Sequence, residues 1–397
     1  MRFFSVSLGV ILFVSIARAD TKDLRQELDA ANIVEKFDVA RDGVGHLLLP
    51  VVIQKNKYLF IIDTGCDDII YDVSFRSVLG KPKKTVTAST DAGSVKLESF
   101  DAPEIFLGKL SLQTTSDVSL FDLSKLRKYS GCDVYGIIGM SFLKHHVLRI
   151  DFDKGEVHFL KSPGFKPGKA YCLSFQNGVP SVETIIPGCE GKEKFIIDTG
   201  ADTNFSGNMR FDLYKLLKKN QIATNLSLSH NTMTLGGAVI EKDFLLNIFS
   251  FGPFSHRDLI FSSNQKCDNV LGLGYLSRYI VTFDFPNQTM YLHKGKMFDL
   301  SDGTDRSGLS ICRRAGKTFV SDVSWLSPAW WSGIRPDDVI LKIEENCSNL
   351  TSLYSLRRLL CMGGKKVHVV LQRDQKQIEI SLLLSGDRGT VTSGKGK

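Results

Sequence analysis

What this chain lacks narrows its chemistry before any motif is considered. Past its first residues, no segment approaches the ~18 consecutive apolar residues that a membrane helix needs, so no membrane span is expected in the mature chain. There is no phosphate loop of the Gly-x-x-x-x-Gly-Lys-Ser/Thr kind, and no Gly-x-Ser-x-Gly set between a strand and a helix. Nucleotide-driven and serine-hydrolase chemistry therefore lose their usual signatures. His145-His146 stand without Cys or Asp partners at ligand spacing, so neither a metal nor any other cofactor is expected. The basic residues are scattered rather than gathered in a stripe, which argues against nucleic acid as a partner.

Residues 1–19 have a basic start, an apolar stretch Phe3–Ile16 and the small-residue close Ala17-Arg18-Ala19. They read as a signal peptide cleaved after Ala19, which implies a secreted or periplasmic protein. Cleavage removes Arg2 and Arg18 and no acid, taking the formal charge from +7 to +5. All eight cysteines lie in the mature part, which suits an oxidising compartment. Cys172 and Cys189 bracket a hairpin and are the pair singled out for a disulfide, with buried free thiols as the alternative. Cys132 and Cys267 stand 135 residues apart in equivalent places of a repeat.

That repeat is the main signal. Phe-Ile-Ile-Asp-Thr-Gly occurs twice, ending at Gly65 and Gly200, and puts Asp63 and Asp198 also 135 residues apart. Each copy closes a predicted β-hairpin of apolar or β-branched runs, His46–Asp63 and Pro180–Asp198. Downstream, Gly136-Ile-Ile-Gly139 followed by Val147–Phe152 matches Val270-Leu-Gly272 followed by Ile280–Phe285. A carboxylate ending an apolar strand, then Thr and Gly in a tight turn, is an unusual setting. Two such carboxylates facing each other would share one proton and could activate water against a peptide bond.

The strings Asp63-Thr-Gly-Cys-Asp-Asp68 and Asp198-Thr-Gly-Ala-Asp-Thr203 resemble the retropepsin-like aspartic proteases over about residues 40–295. The resemblance implies a mainly β fold, a bilobal pepsin/retropepsin-like acid protease β-barrel pseudo-dimer. Its lobes would span residues 20–160 and 161–298, and its substrate would be a peptide or protein. It implies Asp63 and Asp198 as the catalytic dyad, with Thr64, Gly65, Thr199 and Gly200 supporting it. The threonines would lock the two loops by crossed hydrogen bonds. Flaps would come from Thr85–Val95 with Gly93, and from Met233–Val239 with Gly236 and Gly237. Where pepsin-like enzymes have a hydroxyl after the Gly, this chain has Cys66 and Ala201. Losing that donor to the aspartates should raise the dyad's pKa.

Asp299–Ser307 is polar and rich in turn formers, and residues 299–306 read as a linker. Short strands and a helix near Leu350–Cys361 follow. With Ser327-Pro-Ala and Gly333-Ile-Arg-Pro-Asp-Asp-Val-Ile, they resemble a PDZ-like α+β domain over residues 307–385. The family usually has Gly where Asp337 stands. By resemblance Gly308, Leu309, Ser310 and Ile311 would form a carboxylate-binding loop for a peptide's C-terminus. Trp325, Trp330 and Trp331 all fall in this module, where docking onto a lobe or a partner and ordinary core packing are both open. Residues 386–397 read as a flexible tail, and Leu24–Val34 as a short amphipathic helix. A non-catalytic peptide-binding protein, with an inactive cleft, is the alternative to the endopeptidase.

Overall fold

A computed structural model describes residues 31–385, except 40–45, 91, 114–116, 131–132, 165–166, 202–204, 304, 315–316 and 349–352. The predicted signal peptide, the tail and Cys132 lie outside the described residues, as does most of Leu24–Val34. The end of that expected helix is a strand instead: Ile33–Asp38 pairs antiparallel with Glu156–Leu160. Its β-branched start favours the pairing.

The chain is mainly β. The repeat seen in the sequence becomes a repeated piece of topology. In the first unit the hairpin Leu48–Ile53 and Asn56–Ile62 delivers Asp63. The strand Val134–Ile138, which carries Gly136-Ile-Ile, runs parallel to Asn56–Ile62 and antiparallel to Ile69–Asp72. In the second unit Val179–Thr184 and Glu193–Ile197 deliver Asp198. There Val270–Leu271 runs parallel to Glu193–Ile197 and antiparallel to Gly207–Asn208. The strands that deliver the aspartates end in apolar residues packed into the core; Phe60, Ile62, Phe195, Ile197 and Leu271 are fully buried.

The distal halves of the repeat meet in a six-stranded sheet to which each unit gives three strands. At its centre Val147–Asp151 pairs antiparallel with Tyr279–Asp284, Val147 opposite Asp284 and Asp151 opposite Ile280. Arg149 Nε donates to Thr282 Oγ1 across this seam at 3.3 Å. One apolar core runs continuously through both units, from Phe37 to Phe298. Such a shared core fixes the relative placement of the two Asp-bearing loops, since packed interiors resist deformation.

Residues 309–384 build a separate core around Ile311, Val320, Ile343, Leu356, Val369 and Leu371. Their sheet runs in the order Leu309–Arg314, Lys317–Val323, Val339–Ile343, Lys366–Arg373, Lys376–Leu383. Two helices, Pro328–Trp331 and Leu353–Leu360, accompany it. Asp337 has φ +68°, a backbone region that costs a non-glycine residue roughly 1 kcal/mol. Asp337→Gly is therefore expected to raise the stability of this unit by up to about 1 kcal/mol, read as a higher urea midpoint.

One sequence expectation fails here. Cys172 and Cys189 are both free thiols. Cys172 sits exposed on the strand Lys169–Cys172 of the six-stranded sheet, whereas Cys189 packs against the core from the turn after Val179–Thr184. Bracketing a hairpin in sequence does not bring the thiols together once its ends join different sheets. Cys267 is buried, its thiol donating to Met209 O at 3.1 Å. Within the segment read as a linker, the Asp302 side chain is held against the second unit by Arg278, Ser206 and Ile260.

Among the described residues, no helix is long and apolar enough to cross a membrane.

Candidate active site

Each Asp-Thr-Gly loop is held from below by the apolar-Gly strand of its own unit. Asp63 N donates to Ile138 O (3.1 Å) and Met140 N to Cys66 O (2.8 Å). The second unit repeats this, Asp198 N to Leu271 O (3.0 Å) and Leu273 N to Ala201 O (3.0 Å). The two loops then lock to each other through their threonines, both fully buried. Thr64 N donates to Thr199 Oγ1 (3.1 Å) and Thr199 N to Thr64 Oγ1 (3.0 Å). Each hydroxyl passes its proton on, Thr64 to Ile197 O (2.6 Å) and Thr199 to Ile62 O (2.9 Å). Both threonine hydroxyls and both threonine N–H groups are therefore paired, so burying them leaves none of these four groups unsatisfied.

The lock brings the two aspartates together. A methyl placed on Gly200 would lie 2.3 Å from the Asp63 carboxyl carbon, and one on Gly65 would lie 2.4 Å from that of Asp198. Only glycine permits this approach. Asp63 Oδ1 accepts from Gly65 N (2.8 Å), and Asp198 Oδ1 from Gly200 N (2.7 Å) and Ala201 N (3.1 Å). The two carboxyl groups are near enough to titrate as one unit. Burial pushes both above the usual carboxylate range, and the charge of Asp198 lifts Asp63 further. Two like charges this close favour sharing one proton over ionising both.

No side-chain donor stands after either glycine. Ala201 offers only its N–H, and the Cys66 thiol points away from the dyad to Asp68 O at 3.4 Å. Burial, then the charge of Asp63, push that thiol well above its ordinary pKa. It stays neutral and a weak nucleophile.

No family model and no curated protein matches this chain. What its site can do is therefore argued from its own geometry.

Two hairpins of matching design meet nearby. Lys84–Thr90 with Gly93–Phe100 comes from the first unit, and Ala223–Thr234 with Gly237–Phe251 from the second. At each tip a threonine hydroxyl donates to a glycine carbonyl three positions along the turn, Thr90 to Gly93 (2.8 Å) and Thr234 to Gly237 (3.0 Å). The tips touch: a methyl on Gly236 would lie 2.1 Å from Thr90 Oγ1 and 3.0 Å from Ala92 Cβ. Leu235 reaches over to the first unit, packing on the cluster of Ile61, Ile70, Leu123, Val134 and Ile137 beside Cys66.

Three features here went unread in the sequence. Leu235 is one; a single apolar residue in a polar hairpin tip was its only signal. Asp68 is another: burial raises its carboxyl to about 6, and it accepts from Ser119 Oγ (2.6 Å) and Ile69 N (2.8 Å). The third is Asp305, beside the loop Gly308, Leu309, Ser310, Ile311. Gly308 N donates to Asp305 Oδ2 (2.5 Å) and Leu309 N to Ser307 Oγ (3.0 Å). Burial raises the Asp305 pKa. A peptide carboxylate seeking the Gly308 N–H would have to displace the chain's own acid, and one seeking the Leu309 N–H the Ser307 hydroxyl. The strand Leu309–Arg314 is also approached by helix Leu353–Leu360 and by helix Ser124–Ser130 of the first unit.

Proposed function

We propose that this chain is an aspartic endopeptidase of retropepsin-like build, both lobes carried by one polypeptide. One observation carries the reading: each Asp-Thr-Gly glycine abuts the aspartate of the opposite unit, so Asp63 and Asp198 share a single site. A dyad holding one proton has both agents that hydrolysis requires. The ionised carboxylate takes a proton from a water lying between the acids, and that water attacks the scissile carbonyl. The protonated carboxyl hydrogen-bonds the carbonyl oxygen as it becomes tetrahedral, and the proton then passes to the leaving amine. Because the pair titrates as one unit, either aspartate fills either role.

The hairpins that meet at Thr90 and Gly236 act as two flaps over a bound peptide, Gly93, Gly236 and Gly237 giving their tips the turns. Residues 307–385 act as a PDZ-like module that guides substrate or tunes activity. A peptide C-terminus entering the loop Gly308–Ile311 competes with Asp305 for the Gly308 N–H. The leader-like residues 1–19 send the enzyme to a secreted or periplasmic setting. Cleavage of a peptide library that pepstatin abolishes is the test; no cleavage between pH 3 and 7 overturns the reading.

The pH profile should carry the mark of the missing hydroxyls. Activity needs one proton on the dyad, and burial raises the pKa at which the ionised member becomes protonated. The acid limb of kcat/KM therefore moves up, giving a mildly acidic optimum. A profile still rising below about pH 3 would contradict this.

A further inference from the structure

The repeat allows the two walls beside the dyad to be compared residue by residue. In the first unit Ile70 stands opposite Ile137, on the strand that holds the Asp63 loop; in the second, Asn208 stands opposite Val270. Leu97 lies four residues past the flap glycine Gly93, and Glu241 four past Gly237; both are buried, Glu241 to 1% exposure. Phe121 lies two past Ser119, the partner of Ile70, and Asn264 two past Ser262, the partner of Asn208. Apolar Ile70, Leu97 and Phe121 are thus matched by polar Asn208, Glu241 and Asn264. The polar three are joined. Glu241 Oε1 accepts from Asn208 Nδ2 (2.6 Å) and Asn264 Nδ2 (3.2 Å), and Oε2 from Thr232 Oγ1 (2.7 Å). Glu241 and Thr232 belong to the second flap hairpin, whose outer face carries Ile240 at 70% exposure. The Asn208 bond therefore ties the inner face of that flap to the strand beside the Asp198 loop.

The fold does not require this difference. The first unit fills the same three places with apolar side chains, and a carboxylate costs more to bury than a leucine. A costlier choice kept at one of two like places points to function. We propose that the second unit's wall selects a basic side chain, lysine or arginine, on its side of the scissile bond, while the first unit's wall selects an apolar one. This rests on the endopeptidase reading and names its substrate class. Once the flap lifts to admit a peptide, a side chain entering under Glu241 meets carboxylate and amide oxygens, which accept hydrogen bonds. Asp243 adds a second carboxylate on the same face, held by Ser262 Oγ (2.8 Å), where the first unit has Ser99. An ammonium or guanidinium group brings both donors and opposite charge to such a wall. An aliphatic side chain gains nothing from those oxygens and strips water from them. On the first unit's side the entering residue meets Ile61, Ile70 and Ile137, with Leu235 of the opposite flap packed on them.

The full chain carrying Asp63→Asn should bind peptides without turning them over, so a peptide library measured on it reads the walls apart from the chemistry. The library holds Lys, Arg, Leu, Phe and Glu in both orders around a central bond. Peptides with Lys or Arg on one side and Leu or Phe on the other should bind about tenfold tighter than those with Leu on both. Adding Glu241→Gln, which keeps the size and an accepting oxygen, should lower the preference for Lys and Arg about tenfold and leave the apolar preference opposite unchanged. N208I/E241L, which installs the first unit's residues, should make the preference apolar on both sides. Apolar or acidic preference on both sides in the Asp63→Asn chain overturns the proposal. So does a Glu241→Gln change that weakens every peptide alike, the mark of a purely structural role. Asymmetric binding with no cleavage by the unmutated chain would end the dyad reading and keep the asymmetry. Cleavage with apolar residues preferred on both sides would do the reverse, and no peptide binding at all would end both.

Discussion

Asn in place of Asp63 is expected to lower kcat/KM for a cleaved peptide by at least about 10³-fold, and Asp198→Asn to do the same. On the barrier this is roughly 4 kcal/mol. The amide nearly matches the carboxyl in shape and still accepts from Gly65 N or Gly200 N through its oxygen. The threonine knot does not involve the aspartate side chains, so both variants should fold and keep their thermal stability. What they lose is the shared proton, because an amide can be neither the base nor the acid of the pair. The double variant should be no worse than either single one, since each aspartate is useless without the other. Steady-state cleavage of one library-selected peptide measures all three. A single variant within tenfold of the parent would place the chemistry elsewhere.

The reason this prediction could be framed from sequence is that function and fold share one signal. The Asp-Thr-Gly copies end strands whose continuous apolar runs are visible without coordinates, as are the Gly136-Ile-Ile-Gly139 and Val270-Leu-Gly272 strands that cross beneath them. Both hairpins, the distal strand pairs and the helix near Leu350–Cys361, found at Leu353–Leu360, follow local patterns of period and turn chemistry. Contacts between distant residues of ordinary type were not legible. Leu235 meets Ile137 only because two hairpins lean over the same loops. Asp305 beside Ser307-Gly308 looks like any turn former, yet its carboxylate takes the Gly308 N–H that the sequence offered to a ligand. The Cys172 and Cys189 pairing failed for the reverse reason: nearness in sequence stood in for nearness in space.

Asp302 shows the same limit, for polar turn-rich sequence reads as linker whether or not it is pinned. Its Oδ1 pairs with the guanidinium of Arg278, itself only 1% exposed, while Oδ2 accepts from Ser206 Oγ (2.8 Å) and Ile260 N (2.9 Å). Arg278 Nη1 also donates to Leu300 O at 2.7 Å, so one buried cation gathers the whole crossing from the second unit to residues 307–385. Asp302→Ala leaves that cation buried without its counter-ion, and removing one partner of such a pair costs about 3–5 kcal/mol. The variant should unfold its second unit at a markedly lower urea concentration, with loss of cleavage following loss of fold. Substituting both partners, Arg278→Met with Asp302→Leu, should recover most of the deficit, because well-packed apolar side chains often replace a buried ion pair without penalty. A near-neutral Asp302→Ala would mean that water reaches Arg278 and that the crossing is held by its backbone alone, through bonds such as Asp302 N to Asp258 O.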